Sequence, residues 1–114
     1  MPRTVSRVAI GGRGSELVVI TINAGGERKR GTARAPIVAI TANIHGDECT
    51  GTGTVLRLAH ALEPLLVRGT VHLYPSLNPE GLERRARRVP EDDQDLNRLF
   101  PGEIDGSPSE QLAW

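Results

Sequence analysis

A chain of 114 residues is long enough for one domain, and with only 3% aromatic residues its core must be built from Val, Ile, Leu and Ala. Its 14 basic residues balance its 14 acidic residues, so no overall charge favours nucleic acid or an anionic membrane. The single cysteine excludes an intramolecular disulfide, and the sequence contains neither a signal-peptide core nor the roughly 20 apolar residues of a membrane span. We therefore expect a cytoplasmic protein without a nucleic-acid or membrane partner.

Two short β-branched runs near the start of the chain predict a hairpin. Residues 5–10 and 17–22 are separated by the turn-rich sequence GGRGS. The stretch that follows, residues 25–35, is polar and basic and contains three glycines, which is typical of a loop. No aromatic residue is interleaved there for base stacking, so a solvated loop is favoured over a nucleic-acid patch.

An apolar run, a helical pattern and a second short run predict a crossover unit. Residues 36–44, PIVAITANI, are nearly all apolar, which is typical of a central strand buried on both faces. Residues 54–66 carry apolar side chains at helical spacing, and residues 71–74 form another strand. Because strand, helix and strand in this order form a parallel crossover, we expect an α/β fold, a mixed, mostly parallel sheet with an N-terminal hairpin and a crossover helix.

The sequence after residue 75 has little periodicity and ends on the beginning of a helix. The stretch up to residue 102 is predicted to be a long loop of turns, which in a small domain is functional or disordered. In the last residues, SPSEQLAW, Ser109 is a candidate N-cap and good helix formers follow it. Since a domain rarely ends one turn into a helix, we expect a C-terminal truncation, with a frayed tail as the alternative.

Residues 43–51, NIHGDECTG, place His45 and Glu48 where the apolar strand would end. Ligands of open α/β sheets bind at this carboxyl edge, and Gly46 lets the backbone turn sharply. Imidazole and carboxylate form a normal partial shell for catalytic zinc, which takes three protein ligands and a water. On these residues alone, however, capping of the following helix by Asp47 or Glu48 is the better explanation.

Two further motifs change this interpretation. NPEG at residues 78–81 and DLNRLFPG at residues 95–102 follow NIHGDE in that order, after a helix, a strand and an arginine-rich segment. In this order and spacing they resemble the zinc carboxypeptidase superfamily, and within it the succinylglutamate desuccinylase and aspartoacylase type of deacylase. The resemblance covers residues 36–102 and implies a partial zinc-carboxypeptidase-like fold. Residues 1–114 would then be the N-terminal part of a single zinc-hydrolase catalytic domain.

The resemblance implies a role for each matching residue. His45 and Glu48 match the first two ligands of Zn²⁺, and Asp95 matches the acid that orients the ligand histidine from behind. Asn97 and Arg98 match the pair that grips the substrate carboxylate, a task suited to the fork of an arginine.

The resemblance also implies a catalytic arginine, which would polarise the scissile carbonyl and stabilise the oxyanion. Arg88, nine residues before Asn97, matches it. Arg84, Arg85 and Arg87 lie close by, and a shift of register would select one of them instead. The rest of this basic cluster is interpreted as a surface loop that is screened by the acidic run EDDQD beside it.

The activity implied by the resemblance is zinc-dependent hydrolysis of an amide bond in an N-acyl amino acid or a related small acidic substrate that carries a carboxylate. The family also needs a third ligand, a histidine, and a general-base glutamate, both downstream of residue 114, so we expect this chain alone to be inactive. A variant of this hypothesis has a second copy of the chain supply the third ligand. His60 and His72 are interpreted as structural, and Cys49 as a small buried residue rather than a nucleophile.

A hypothesis of a different class is a metal-free binding or interaction module that keeps the fold without catalysis. A histidine on a strand downstream of the DLNR motif, followed by a glutamate, would favour the enzyme. Their absence from a complete gene would favour the binding module.

Overall fold

A computed structural model describes residues 3–10, 15–24 and 35–114. The elements in this part of the chain are β1 (Arg3–Ile10), β2 (Ser15–Asn23), β3 (Ile37–Thr41), α1 (Thr50–Leu65), β4 (Thr70–Tyr74), α2 (Pro79–Arg84), a 3₁₀ turn (Leu96–Arg98) and α3 (Pro108–Ala113). Most of the connector between the first two strands and nearly all of the predicted basic loop lie outside the described residues. None of the described helices combines the length and the hydropathy needed to cross a membrane.

The four strands form one sheet in the order β1, β2, β4, β3. β1 pairs with β2 and β2 pairs with β4 in antiparallel fashion, whereas β3 and β4 are parallel and are connected through α1. The predicted α/β class, the N-terminal hairpin and the crossover helix are therefore confirmed. The expectation of a mostly parallel sheet is corrected, because the hairpin strand β2 occupies the position beside β4 and makes two of the three described pairings antiparallel.

The main core lies between α1 and one face of the sheet. The pairing of β2 with β4 sets Ile20 opposite Leu73 and Ile22 opposite Val71, so these four side chains point to the same face. Val55 and Ala59, one helical turn apart, bury the apolar stripe of α1 in the same cluster. Each large aliphatic side chain buried here contributes roughly 1.5–3 kcal/mol.

β3 does not have the predicted place in the sheet. It is an edge strand in the described sheet, and Ile37 and Val38 are 73% and 47% exposed. Among the apolar side chains of β3, Ile40 packs against the core cluster. Among the described residues, the strand is therefore less buried than its apolar composition predicts, but it does carry the chain to the carboxyl edge of the sheet.

A second, smaller core organises the polar C-terminal part of the chain. Val89, Leu96 and Ala113 are buried together, so the segment predicted as a long loop is held in place. Its helix α3 begins after Ser107 rather than Ser109. The Ser107 hydroxyl accepts the backbone N–H of Glu110, whose carboxylate accepts the backbone N–H of Ser107, a complete capping box.

Ser109 instead anchors α3 to the preceding loop through Asp92. The carboxylate of Asp92 accepts the Ser109 hydroxyl, the Ser109 backbone N–H at 2.8 Å and the Gln94 backbone N–H at 3.2 Å. Burial opposes ionisation of this carboxyl and is the largest single influence, but the hydrogen bonds together outweigh it and lower the pKa of Asp92. The charged form of Asp92 is therefore the one that holds α3 in place.

Asp92→Asn should lower the free energy of unfolding by roughly 1–3 kcal/mol, because charge-assisted hydrogen bonds to Ser109 are lost. Since the folded-state pKa of Asp92 lies below 3.8, its stabilisation is fully present above that value and is lost as the pH falls through the folded-state pKa. Urea unfolding of the wild type and of Asp92→Asn between about pH 7 and about pH 3 measures the difference in their free energies of unfolding. This difference should become smaller in acid. Asp93→Asn, at an exposed ion pair with Arg88, is the control and should change little. A difference in unfolding free energy between the wild type and Asp92→Asn that did not vary with pH would contradict this account.

Candidate metal and substrate site

The candidate site begins where β3 and β4 leave the sheet side by side. The backbone N–H of Ala42 donates to the carbonyl of Tyr74 at 3.2 Å, and the N–H of Leu77 donates back to the carbonyl of Ala42 at 3.0 Å. These bonds hold the NIHGDE segment next to the NPEG segment at the carboxyl edge of the sheet. This edge is where open α/β sheets bind ligands.

His45 is oriented by Asp95, which lies 50 residues further along the chain. The Nε2 atom of His45 is 2.9 Å from Oδ1 of Asp95, and the His45 side chain is only 12% exposed. The hydrogen bond with His45 is the main reason that the pKa of Asp95 is lowered, and the backbone N–H of Asn97 lowers it further. Because an ionised carboxylate only accepts hydrogen bonds, Nε2 carries a proton in this contact, and in the neutral ring the lone pair is therefore on Nδ1.

Glu48 lies on the side of that free nitrogen. Its Oε2 atom is 3.7 Å from Nδ1 of His45, which is too long for a hydrogen bond. Two ligand atoms bound to one tetrahedral zinc at about 2.0–2.1 Å lie about 3.3 Å apart, so this separation is close to what a shared ion requires. The donor types, the free lone pair and the spacing therefore fit Zn²⁺. Within residues 3–10, 15–24 and 35–114, no group of three or more His, Cys, Asp or Glu side chains is placed to hold a metal.

The alternative explanation of this segment, capping of α1, does not hold. The N-cap residue of α1 is Cys49, its side chain makes no capping hydrogen bond, and no acidic residue lies in the first turn of the helix. Neither Asp47 nor Glu48 is therefore the cap. Cys49 is also exposed, which corrects the prediction that it is buried.

Gly46 is required by the packing of this segment against α2. A Cβ atom on Gly46 would lie 2.2 Å from the carbonyl carbon of Gly81 and 2.3 Å from the carbonyl oxygen of Ala86. The backbone N–H of Gly46 also donates to the carbonyl of Arg87 at 3.2 Å. The close approach of two backbones is thus the physical reason for the glycine between His45 and Glu48.

The arginine-rich segment brings Arg87, rather than Arg88, to the candidate ligands. Nη1 of Arg87 is 3.3 Å from Oε1 of Glu48. Nη1 of Arg88 is instead 3.6 Å from the Asp93 carboxylate and 3.4 Å from the Asp93 carbonyl oxygen, both within its own loop. The other two candidates end α2, Arg84 in its last turn and Arg85 as its C-cap.

Asp95 connects the turn that carries Asn97 and Arg98 to His45. Both lie in the 3₁₀ turn, whose N-cap is Asp95, and both are exposed. Oδ1 of Asp95 accepts the backbone N–H of Asn97 at 3.0 Å while it binds His45. One carboxylate therefore sets the position of the histidine and of the turn that carries the predicted substrate clamp.

Sequence reasoning missed the role of three buried polar residues that adjoin the segment of His45 and Glu48, namely Asn43, Ser76 and Asn78. Their signal in the sequence was weak, because each stands at the end of a strand or at the start of a helix, where polar residues are common. The predicted structural role of His72 agrees with its contact, since its Nδ1 atom is 2.9 Å from the hydroxyl of Thr21 within the sheet.

Residues 34–113 match the model of the succinylglutamate desuccinylase/aspartoacylase catalytic domain. The chain belongs to this family. The family expectation from the three sequence motifs is thereby confirmed, and the match extends beyond them to α3.

Individual relatives agree with this assignment. The N-alpha-acetyl-L-2,4-diaminobutyric acid deacetylase of Halomonas elongata is 32% identical over 100 residues, which is 88% of this chain and 27% of that protein. The crystal structure of an aspartoacylase family protein from Mesorhizobium loti superimposes with a TM-score of 0.79 at 31% identity, over 97% of this chain and 33% of the other. A metallo-carboxypeptidase from Burkholderia cenocepacia shares the fold, with a TM-score of 0.74 at 23% identity over 98% of this chain and 32% of the other. The chain therefore spans a third or less of these relatives, and those whose activity is named are hydrolases of amide bonds.

Gly46→Ala should lower the free energy of unfolding by roughly 2–4 kcal/mol, because the added methyl group meets backbone atoms that cannot move aside independently. Gly53→Ala is the matched control. A Cβ atom at Gly53 meets nothing within 4 Å, and the residue lies in α1, so alanine there should raise stability by about 1 kcal/mol. Urea unfolding of the two variants measures both effects. Equal stability of Gly46→Ala and the wild type would show that the approach to α2 is not as tight as described.

Proposed function

We propose that the whole protein is a zinc-dependent hydrolase that cleaves the amide bond of an N-acyl amino acid or a related small acidic substrate. The observation that carries this proposal is the arrangement around His45, with Asp95 on one ring nitrogen and Glu48 beside the other. A carboxylate behind a ligand histidine is the usual support of a zinc-bound imidazole. The deacetylase among the relatives supports the class of substrate.

In this proposal His45 and Glu48 hold Zn²⁺, which when bound supplies a Lewis acid and lowers the pKa of a water molecule. Asp95 binds Nε2 of His45, so the ring presents Nδ1 on the side of Glu48. Residues 1–114 form the N-terminal part of one catalytic domain, and a third ligand and a general base come from residues beyond them. By itself the chain would then be inactive.

Asn97 and Arg98 are proposed to bind the carboxylate of the substrate. Their exposed side chains extend from a turn whose backbone is fixed by Asp95, so they can meet a ligand without first being freed from the core. The guanidinium of Arg98 can pair with both carboxylate oxygens at once, which fixes the orientation of the substrate as well as its affinity. Pairing of this kind would favour substrates that carry a carboxylate.

Arg87 is proposed to polarise the scissile carbonyl, in place of Arg88. Its contact with Glu48 puts a permanent positive charge beside the ligand pair, where the developing oxyanion would lie, whereas Arg88 is engaged with Asp93.

The two arginines offer a matched comparison in the whole protein. Arg87→Ala should lower kcat by about 10²-fold or more, as expected when one group that stabilises an oxyanion is removed. Arg88→Ala should change kcat and KM by less than about threefold, since an exposed ion pair contributes little. Steady-state hydrolysis of an N-acetylated diamino acid measures both. The reverse pattern would restore Arg88 as the catalytic residue.

The metal itself is tested by zinc content. The whole protein should contain near-stoichiometric zinc, and His45→Ala should lose it together with hydrolytic activity. His60→Ala, on the exposed side of α1, is the control and should keep both. Elemental analysis of the three purified proteins gives the answer. Full zinc content and normal turnover in His45→Ala would overturn the proposal, and a wild-type protein with neither zinc nor hydrolysis would favour the metal-free binding module.

A further inference from the structure

Asn43 occupies an unusual backbone position directly before the candidate ligands. Its φ is 60°, in the left-handed region, although its side chain is buried and only 6% of the residue is exposed. Asparagine tolerates this conformation better than most residues with a side chain. Tolerance of φ alone does not explain the burial of a polar amide, which must find hydrogen-bond partners.

The Asn43 amide group finds these partners in residues 45–48, the ligand turn that carries His45 and Glu48. Its Nδ2 atom donates to the backbone carbonyls of His45 at 3.0 Å, Gly46 at 3.2 Å and Glu48 at 2.9 Å. An amide nitrogen has two protons, so one of them is shared between two of these carbonyls. The backbone carbonyls of both candidate ligand residues therefore accept hydrogen bonds from the same side-chain amide.

The other end of the Asn43 amide is fixed by Ser76. The Ser76 hydroxyl donates to Oδ1 of Asn43 at 2.6 Å, and the Ser76 oxygen accepts the backbone N–H of Asn78 at 3.2 Å. Asn78 in turn caps α2 through the N–H of Gly81 at 3.0 Å and donates to the carbonyl of Ile44 at 3.4 Å. A flipped Asn43 amide would set oxygen against three carbonyls, so this network determines its orientation.

We propose that Asn43 is a positioning residue that preforms the His45–Glu48 pair for a divalent cation, with Ser76 as its anchor. This inference rests on the proposed function in that the cation is zinc. The amide holds three carbonyls of the turn at once, so the two ligand side chains start from a backbone that does not have to be ordered by the metal. A buried network in which every member is satisfied can provide this rigidity.

Three variants separate the amide from the backbone conformation. Asn43→Gly keeps the left-handed φ without strain but removes every side-chain hydrogen bond. Asn43→Asp keeps the size and much of the tolerance of φ but replaces the donor by an oxygen that repels the carbonyls. Ser76→Ala leaves Asn43 in place and removes its anchor. Val55→Ala, on the buried face of α1, is a destabilised control that lies outside residues 43–48.

Zinc affinity of the whole protein, measured by competition with a chelator, should fall about 10–100-fold in Asn43→Gly, at least as far in Asn43→Asp and less in Ser76→Ala. The folded fraction of Val55→Ala should bind zinc as the wild type does. A second measurement needs no metal. Amide hydrogen exchange at Glu48, whose N–H donates to the carbonyl of His45 at 3.0 Å, should accelerate in Asn43→Gly more than in the control of similar stability.

The outcomes are distinguishable. Wild-type zinc affinity together with unchanged exchange in Asn43→Gly would overturn the inference and leave tolerance of φ as the role of Asn43. Equal losses of affinity in Asn43→Gly and Val55→Ala would also overturn it, since general destabilisation would then suffice. If the wild type contains no zinc, the proposed function is overturned. If exchange at Glu48 is still accelerated in Asn43→Gly, Asn43 is nevertheless supported as the residue that holds the turn.

Discussion

The hydrogen bond between His45 and Asp95 is the contact on which the arrangement of the site depends. It joins the end of β3 to the 3₁₀ turn across 50 residues of chain. Because the carboxylate holds one nitrogen of the ring, the other nitrogen is directed towards Glu48. The same carboxylate starts the turn that carries Asn97 and Arg98. The bond therefore couples a proposed metal site to a proposed substrate clamp.

This bond can form only because the polar half of the chain has a core of its own. Val89 and Leu96, which precede and follow Asp95 in the chain, are buried together with Ala113, and Asp92 secures α3 against the same loop. Burial of apolar groups supplies most of the driving force, while the capping box and the Asp92 hydrogen bonds specify one arrangement of a segment without periodicity. A small apolar cluster, together with these hydrogen bonds, is thus enough to order the polar C-terminal part of the chain.

Buried polar side chains likewise specify the arrangement of residues 43–48, which carry His45 and Glu48. Asn43, Ser76 and Asn78 connect the exits of the two parallel strands through hydrogen bonds that leave these side chains satisfied. A buried polar group without partners is costly, so the network restricts the turn to few conformations. The parallel pairing of β3 with β4 is the feature of the fold that brings these residues together.

The sequence by itself determined the elements of the first 74 residues and the family. Short β-branched runs around a turn-rich connector predicted the hairpin, a further short run predicted β4, and helical spacing predicted the crossover helix. The order of HGDE, NPEG and DLNR identified the family and selected His45, Glu48 and Asp95. Only the tertiary structure decided that β3 lies at an edge of the described sheet, that Arg87 rather than Arg88 reaches Glu48, and that the Asn43 amide binds three backbone carbonyls. These features depend on contacts between distant segments without periodicity, and no local pattern encodes which side chains such segments bring together.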